Sequence, residues 1–417
     1  MIFSSLFTNP LPPFLSPGIH ASRDARHPLP GFTRHLPLAT RHFLPLLLCV
    51  LCALCGQSLF FSSAPARAQD IDKPLQNIDE EVTAFSFAPD GRIVYGVRRN
   101  FKTKKYDLQH DDIWLMESNG KKRRLLEGPK FTRGSELFSY AADGFHWSPN
   151  GRYILAQLFT TSVNDDSGRA EDSFMTLVLD ENGHEVHLGK GESIIKDCYN
   201  ASFLLDNNTI VYLTEALKPR MLFSFRYSSI ATGAAGPAFE GRTFIDSVRI
   251  PGTNAAIAVE RDRAMSGPPR LQRLELLAQD NKEIATLDDY QGGLSLSPSG
   301  RKIAYFIDRE VLEVRDLAAP DHVARLRVGL GLVQWAPDEN RILLRRSVER
   351  KSGDIVWITL PPLAAPPPGQ AVPVIQPTPQ PILHGISFRD FAVSPDGRIL
   401  AVVAPGRRNL QLFPLIG

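Results

Sequence analysis

The chain has 417 residues, with 47 Lys plus Arg against 45 Asp plus Glu and a formal net charge of +2. That length allows one large β domain or two to three smaller ones, and the near-neutral balance excludes the strong basic excess of a nucleic-acid binder. The charge is unevenly placed, because residues 1–68 hold five arginines against one aspartate and leave the remainder near −2.

Those first 68 residues read differently from the rest. Arg34 and Arg41 precede an apolar run, Phe43 to Leu54, and Ala66-Arg67-Ala68 follows as a small-x-small cleavage signal before Gln69. This is the pattern of a secretory signal peptide. The run is too short for a transmembrane span and is closed by Gln57 and Ser58. The Pro-rich stretch before Arg34 lacks a core pattern. We therefore expect residues 1–68 to be an N-terminal extension and signal peptide, and residues 69–417 to be an exported domain, periplasmic or extracellular. Cys49, Cys52 and Cys55 belong to the leader, and Leu54 stands where a lipoprotein signal needs a small residue before Cys55. Cys198 remains, so no intrachain disulfide forms in the mature chain. It reads as a small core residue.

Beyond the leader, one phrase is written five times: FSFAPDGRIVYGV from Phe85, FHWSPNGRYILAQ from Phe145, LSLSPSGRKIAYF from Leu294, VQWAPDENRILLR from Val333 and FAVSPDGRILAVV from Phe391. Each runs strand, Pro-Asp-Gly-like turn, strand. Pro presets φ, Asp or Asn bonds the local backbone, and Gly91, Gly151, Gly300 and Gly397 supply a positive φ. In the fourth copy Asn340 is expected to take the glycine's place. A second hairpin alternates with the first. It is clearest at Asp111–Gly128, where Ile113–Met116, a Ser-Asn-Gly turn and a strand ending Leu125-Leu126 follow one another. Two hairpins make four antiparallel strands, the content of one propeller blade.

The Ser-Pro-Asp-Gly-Arg phrase followed by Asp-Ile-Trp-Leu-Met resembles the WD-like propeller repeat of TolB and of the N-terminal domains of prolyl-oligopeptidase relatives. The resemblance spans the mature chain and implies an all-β fold, a β-propeller. It implies little about chemistry, since one fold serves unrelated tasks. The degenerate copies FLLDNNTIVYL from Phe203 and VRIPGTNAAIAVE from Val248 raise the count to seven four-stranded blades, with six as the alternative. The last blade ends one strand short, and residues 73–80 are expected to fill the gap and close the ring. The Pro-rich stretch Pro361–Pro381 reads as an extended, solvated spacer between outer strands of the sixth blade. The prolyl-oligopeptidase relatives carry a hydrolase domain after the propeller and TolB an α/β domain before it, and this chain is expected to have neither.

No Gly-x-Ser-x-Gly elbow, His-Glu-x-x-His helix, Walker-type loop or paired Cys-x-x-Cys occurs, so we expect no catalysis, no cofactor and no metal. His184 and His187 stand three apart on an expected outer strand and point to opposite faces. His146, on an inner strand, faces the expected channel but has no histidine counterparts in the other copies. Asn164–Gly168, with Glu171 and Asp172, is oxygen-rich yet lacks the spacing of an EF-hand loop and reads as an acidic loop. Arg92, Arg152, Arg301, Arg341 and Arg398 follow the turns as solvated residues.

Loop length gives the best clue to a site. Arg99–Asp111, Pro129–Asp143 and Thr161–Asp172 read as long loops on one face of the first two blades. Their mixture of charge and aromatics is what protein-binding patches use. The candidate partner-binding residues are Lys102, Lys104, Tyr106, His110, Arg133, Tyr140, Asp165 and Arg169. The expected function is a monomeric, non-catalytic platform for an envelope or secreted protein partner. The alternative is a small-ligand or carbohydrate-binding propeller, even an enzyme, with its site in the central channel.

Overall fold

The computed structural model describes residues 73–102, 107–128, 137–163, 170–217, 222–348, 352–383, 390–403 and 409–415. It is all-β, without an α-helix among the described residues. β1 (Gln76–Ile78) precedes a first blade of β2 (Val82–Phe87) and β3 (Ile93–Val97), a small hairpin of β4 (Asn100–Lys102) and β5 (Asp107–Gln109), then β6 (Asp112–Met116) and β7 (Lys122–Leu126). The next sheet holds β8 (Leu137–Trp147), β9 (Tyr153–Val163), β10 (Ala170–Asp180) and β11 (Ile194–Lys196). A seven-stranded sheet follows, with β12 (Tyr199–Phe203), β13 (Thr209–Leu217), β14 (Leu222–Ser229), β15 (Ala235–Arg249), β16 (Ala255–Glu260), β17 (Arg270–Glu275) and β18 (Asp280–Thr286). Then come β19 (Gly292–Leu296), β20 (Lys302–Phe306), β21 (Val311–Asp316) and β22 (Val323–Arg327). The last strands are β23 (Val333–Trp335), β24 (Arg341–Val348), β25 (Ser352–Thr359), β26 (Val374–Ile375), β27 (Gln380–Leu383), β28 (Asp390–Val393), β29 (Ile399–Val403) and β30 (Leu410–Pro414).

The wide sheet is continuous because β15 serves two neighbours. Its first half, from Ala235, pairs with β14, while Phe244–Arg249 pairs with β16. Phe244 belongs to both ladders, opposite Phe223 on one side and Glu260 on the other. The outermost strand of one blade thus runs without a break into the innermost strand of the next.

Middle strands are rich in apolar residues, and in β3, IVYGV, every position is buried. The reason is that both faces of each blade are covered, so period-2 alternation selects a neighbour rather than solvent. Val94 packs with Tyr140 and Phe145 of the next blade, whereas Ile93 and Tyr95 pack with Val403 and Leu410 of the last. The described core accordingly divides into seven clusters, each lying between sheets or halves of a sheet that follow one another round the ring.

Closure follows the expectation from residues 73–80. β1 lies antiparallel on β30, with Gln76 opposite Leu412 and Ile78 opposite Leu410, giving the order β1-β30-β29-β28. The N-terminal strand supplies the outermost strand of the last blade, so ladder hydrogen bonds join the two ends of the chain.

Several expectations need correction. In the fourth turn it is Glu339, not Asn340, that takes the left-handed conformation, at φ 56°. Counted from the turn's Pro337, Glu339 stands where Gly151 stands after Pro149, and its carboxylate accepts the Oγ–H of Ser299 in the preceding turn at 2.9 Å. The outer strand expected around His184 and His187 forms instead at Ile194–Lys196. The histidines sit in the connecting turns, with His184 Nδ1 3.0 Å from Asp180 and His187 Nδ1 2.9 Å from the carbonyl of Gly191. The Pro-rich stretch does join β25 to β27, but it also crosses to the neighbouring blade. There β26 adds in parallel to β22, and Val323 N donates to Ala364 O at 3.1 Å. It is solvated, as expected, and it is also a strap along a sheet edge. Cys198 is fully buried just before β12, and burial pushes its thiol up to about 12, as suits a core residue.

Candidate functional site

The repeated turns gather at one end of the ring. In the copies with serine, the buried hydroxyls of Ser148, Ser297 and Ser394 accept the N–H of Tyr153, Lys302 and Ile399 at 2.9, 3.1 and 2.9 Å. Neighbouring turns are tied together. Asn150 N donates to Asn207 Oδ1 at 2.9 Å, and Leu205 N to Asn254 Oδ1 at 3.0 Å. Arg152, Arg301 and Arg398 are exposed, as their positions after the turns suggest. Arg92 and Arg341 are not simply solvated. Arg92 donates to Glu181 and to the carbonyl of Gly151, both at 2.9 Å, and lies 5.2 Å over the Trp147 ring. Arg341 pairs with Asp338 at 3.0 Å and covers Trp357 at 5.0 Å.

Inside this rim lies a cavity of about 600 Å³. Residues on or adjoining β2, β8, β12, β15, β19, β23 and β28, the strand that opens each turn, all contribute to its wall. Phe87, Trp147, Phe203, Trp335 and Phe391 give it an aromatic character, and Pro89, Pro149, Pro251, Pro298, Pro337 and Pro395 form its collar. Leu205 replaces proline in the third copy and is 44% exposed. The polar side chains on the wall include Ser86, His146, Arg249, Gln334 and Asp390. His146 faces the channel as expected, without a second histidine beside it in the lining. No group of three or more metal-ligating side chains occurs among the described residues.

The opposite ends of the strands carry the face expected to bind a partner. Two of its three long loops are in large part strands. β8, β9 and β10 each run for 11 residues, with Leu137 opposite Val163 and Glu171 opposite Ser162, and the β4–β5 hairpin rises beside them. The two projections are fastened together. Ser139 Oγ accepts the N–H of Gln109 at 2.8 Å and donates to its carbonyl at 2.9 Å. His110 stacks on Tyr140 with ring centroids 5.0 Å apart, and the Tyr140 hydroxyl reaches the carbonyls of Asp111 and Gly128 at 3.1 and 3.2 Å.

Beneath this brace lie two aspartates that sequence reasoning passed over. Asp111 is fully buried and accepts hydrogen bonds from Thr83 Oγ1, Ala142 N and Gln109 Nε2 at 2.7, 2.8 and 2.8 Å. Burial still holds its carboxyl above the ordinary value. Asp112 accepts the N–H of Gly128 at 2.8 Å and pairs with Arg99 at 2.9 Å. The Asp-Asp pair opening the second hairpin was the available signal.

Of the eight candidate residues, Lys102 is exposed on β4 and lies 3.6 Å from Asp107. His110 and Tyr140 are buried, so they brace the projection and do not present side chains to a partner. Lys104, Tyr106, Arg133, Asp165 and Arg169 lie outside the described residues, as does the acidic segment at 164–168. Beside this region, a row of rings runs from Phe159 through Phe174 and Tyr199 to Phe223, with centroids 5.2, 4.9 and 5.3 Å apart. All but Phe223 are partly exposed.

No protein-family model matches the chain, and no curated protein does. Solved structures do. The chain is similar to the β-propeller domain of Cps50 (Swd1) from Myceliophteria thermophila, with 10% identity and a TM-score of 0.50, over 82% of this chain and 99% of that one. It also matches the WD40 repeats of RRP9 at 9% identity and a TM-score of 0.46, over 82% and 97% of the two chains. At such identity the likeness to the Cps50 domain speaks to fold alone, and with the sheet order and closure above it makes this chain a β-propeller.

Proposed function

We propose that the protein is an exported, non-catalytic propeller of the TolB-like kind, with seven blades, that serves as a protein-binding platform in the cell envelope. The count of seven rests on reading β15 as the last strand of one blade and the first of the next. The seven strand sets that line the cavity and the seven core clusters support it. Export rests on the leader pattern of residues 1–68.

The observation that carries the platform reading is the braced projection on the first two blades. A loop that merely tolerates insertion has no need of buried fastenings. Here Ser139, Tyr140, His110 and Asp111 spend buried polar groups on fixing a raised, mixed-charge surface in place. A surface held rigid before binding loses less entropy when a partner docks.

The test is affinity capture with the protein after in-cell cross-linking. The platform reading predicts a reproducible partner from the envelope. Changing Lys102, Lys104, Tyr106 and Arg133 together should lower its recovery at least about tenfold, since a few hot-spot contacts dominate such interfaces. Recovery of the propeller alone would overturn the reading.

A further inference from the structure

The cavity at the turn end is remote from the braced projection and has a chemistry of its own. Its volume of about 600 Å³ falls in the ~300–1,000 Å³ range of small-molecule sites, which combine apolar walls with few polar anchors. Phe87 and Trp147, both partly exposed, and the more deeply buried Trp335 and Phe391 line it. The cationic anchor is Arg249, at the end of β15.

Arg249 differs from the two covered arginines of the turn end and, unlike Arg152, Arg301 and Arg398, is not exposed. Arg92 and Arg341 each meet a carboxylate within 3.0 Å. Arg249 is half-buried and holds only backbone carbonyls, donating through Nη1 to Ala255 O at 3.0 Å and through Nη2 to Thr253 O at 2.7 Å. Its Nε is buried without a partner, and among the described residues no carboxylate lies within ion-pair distance. Glu275 acts on it from farther away and is itself paired with Arg273 at 2.9 Å. Burial lowers its guanidinium to about 10, the mark of a cation short of compensation. The one carboxylate that the described residues bring to the wall, Asp390, accepts the N–H of Phe391 at 2.8 Å and is not a free group. It stands on β28, three inner strands away round the ring in either direction or farther.

A desolvated cation beside an aromatic cavity favours a ligand that brings one negative charge on an apolar ring body. We propose that the cavity binds a small aromatic anion, a ring system carrying a single carboxylate or sulfonate, with its charge seated at Arg249. Two backbone carbonyls hold the guanidinium in place, so its charge is set before the ligand arrives.

The probe is 1-anilinonaphthalene-8-sulfonate, with uncharged N-phenyl-1-naphthylamine as the comparator of similar shape. Fluorescence titration should give one saturable sulfonate site per chain, with energy transfer from Trp147 and Trp335. Arg249→Met should weaken the sulfonate about tenfold or more, the worth of a charge-assisted hydrogen bond, and change the neutral probe less than about twofold. Leu205→Glu, at an exposed position on the cavity wall, should weaken the sulfonate in the same selective way. If Arg249→Met fails to fold, the Leu205→Glu result decides. Absence of a saturable site at millimolar probe, equal affinity for the two probes, or wild-type sulfonate binding by either folded variant would overturn the proposal. Because the site lies away from the projection, none of these outcomes alters partner capture.

Discussion

Arg92 shows how single side chains fasten neighbouring blades. Its side chain is 14% exposed, and the guanidinium meets Asp90 in its own turn, Glu181 and Gly151 in the next sheet, and the face of Trp147. Arg92→Ala should cost about 1–3 kcal/mol in urea unfolding, and Arg92→Lys should restore little, because an ammonium cannot reproduce the fork or the stacking. Asp246 offers a pH test. It is buried, Tyr290 donates its hydroxyl to it, and burial lifts its carboxyl to about 6. The folded state therefore holds a proton that the unfolded chain releases near pH 4. Its contribution to stability should be full below about pH 4, fall by at most about 3 kcal/mol as pH rises to about 6, and stay level above that. Asp246→Asn should remove that slope in denaturant titrations from pH 4 to 7. A slope unchanged by the substitution would contradict the assignment. At this scale the turn glycines were legible in the sequence, since positive φ has a residue signature. Glu339 was not, because the contact that holds it comes from Ser299 in another blade.

The most consequential element is among the shortest. β1 has three residues, yet it covers the edge of β30 and buries Ile78 against Val82, Met116 and Leu410. Ile78→Asp places an unpaired charge in that cluster and frees a sheet edge. We expect loss of more than about 3 kcal/mol together with concentration-dependent aggregation in light scattering. A variant as stable and monomeric as wild type would show that closure contributes little. The turn at Gly397 makes a second test. With φ 73°, a Cβ there would lie 2.3 Å from Cγ of Pro337 in the adjacent turn, so Gly397→Ala combines left-handed strain of about 1–2 kcal/mol with a clash and should lower the urea midpoint. Alternating apolar strands around Pro-Asp-Gly were readable because turn chemistry and period-2 pattern coincide. The extensions of β8 to β10 were not. Thr161 and Ser162 are polar and read as loop, and they form strand only because neighbouring strands supply partners. Likewise the strap at Val374–Ile375 is solvated as read, but its pairing was hidden because the partner is β22, about fifty residues earlier in the chain.

Across the whole molecule, stability comes from contacts between blades rather than from one centre. The seven described clusters each join strands from successive sets, and the cluster containing Ile78, Phe85 and Leu412 joins the first set to the last. Such a ring was legible because one phrase recurs at intervals of tens of residues. Its functional faces were less so. Sequence reasoning placed a partner surface on the first two blades, and the structure supports a braced projection there while withdrawing His110 and Tyr140 from its exposed residues. It weighed the channel only as an alternative, since the aromatic wall is assembled one or two residues at a time from seven distant strands. We propose that the projection face, and not the turn rim, meets a protein partner. The direct measurement is site-specific photo-cross-linking in intact cells, with a photoreactive residue at Lys102 in one strain and at exposed Arg301 in another. A discrete adduct is expected from position 102 and none from position 301. An adduct from 301 alone, or from neither position, would contradict it.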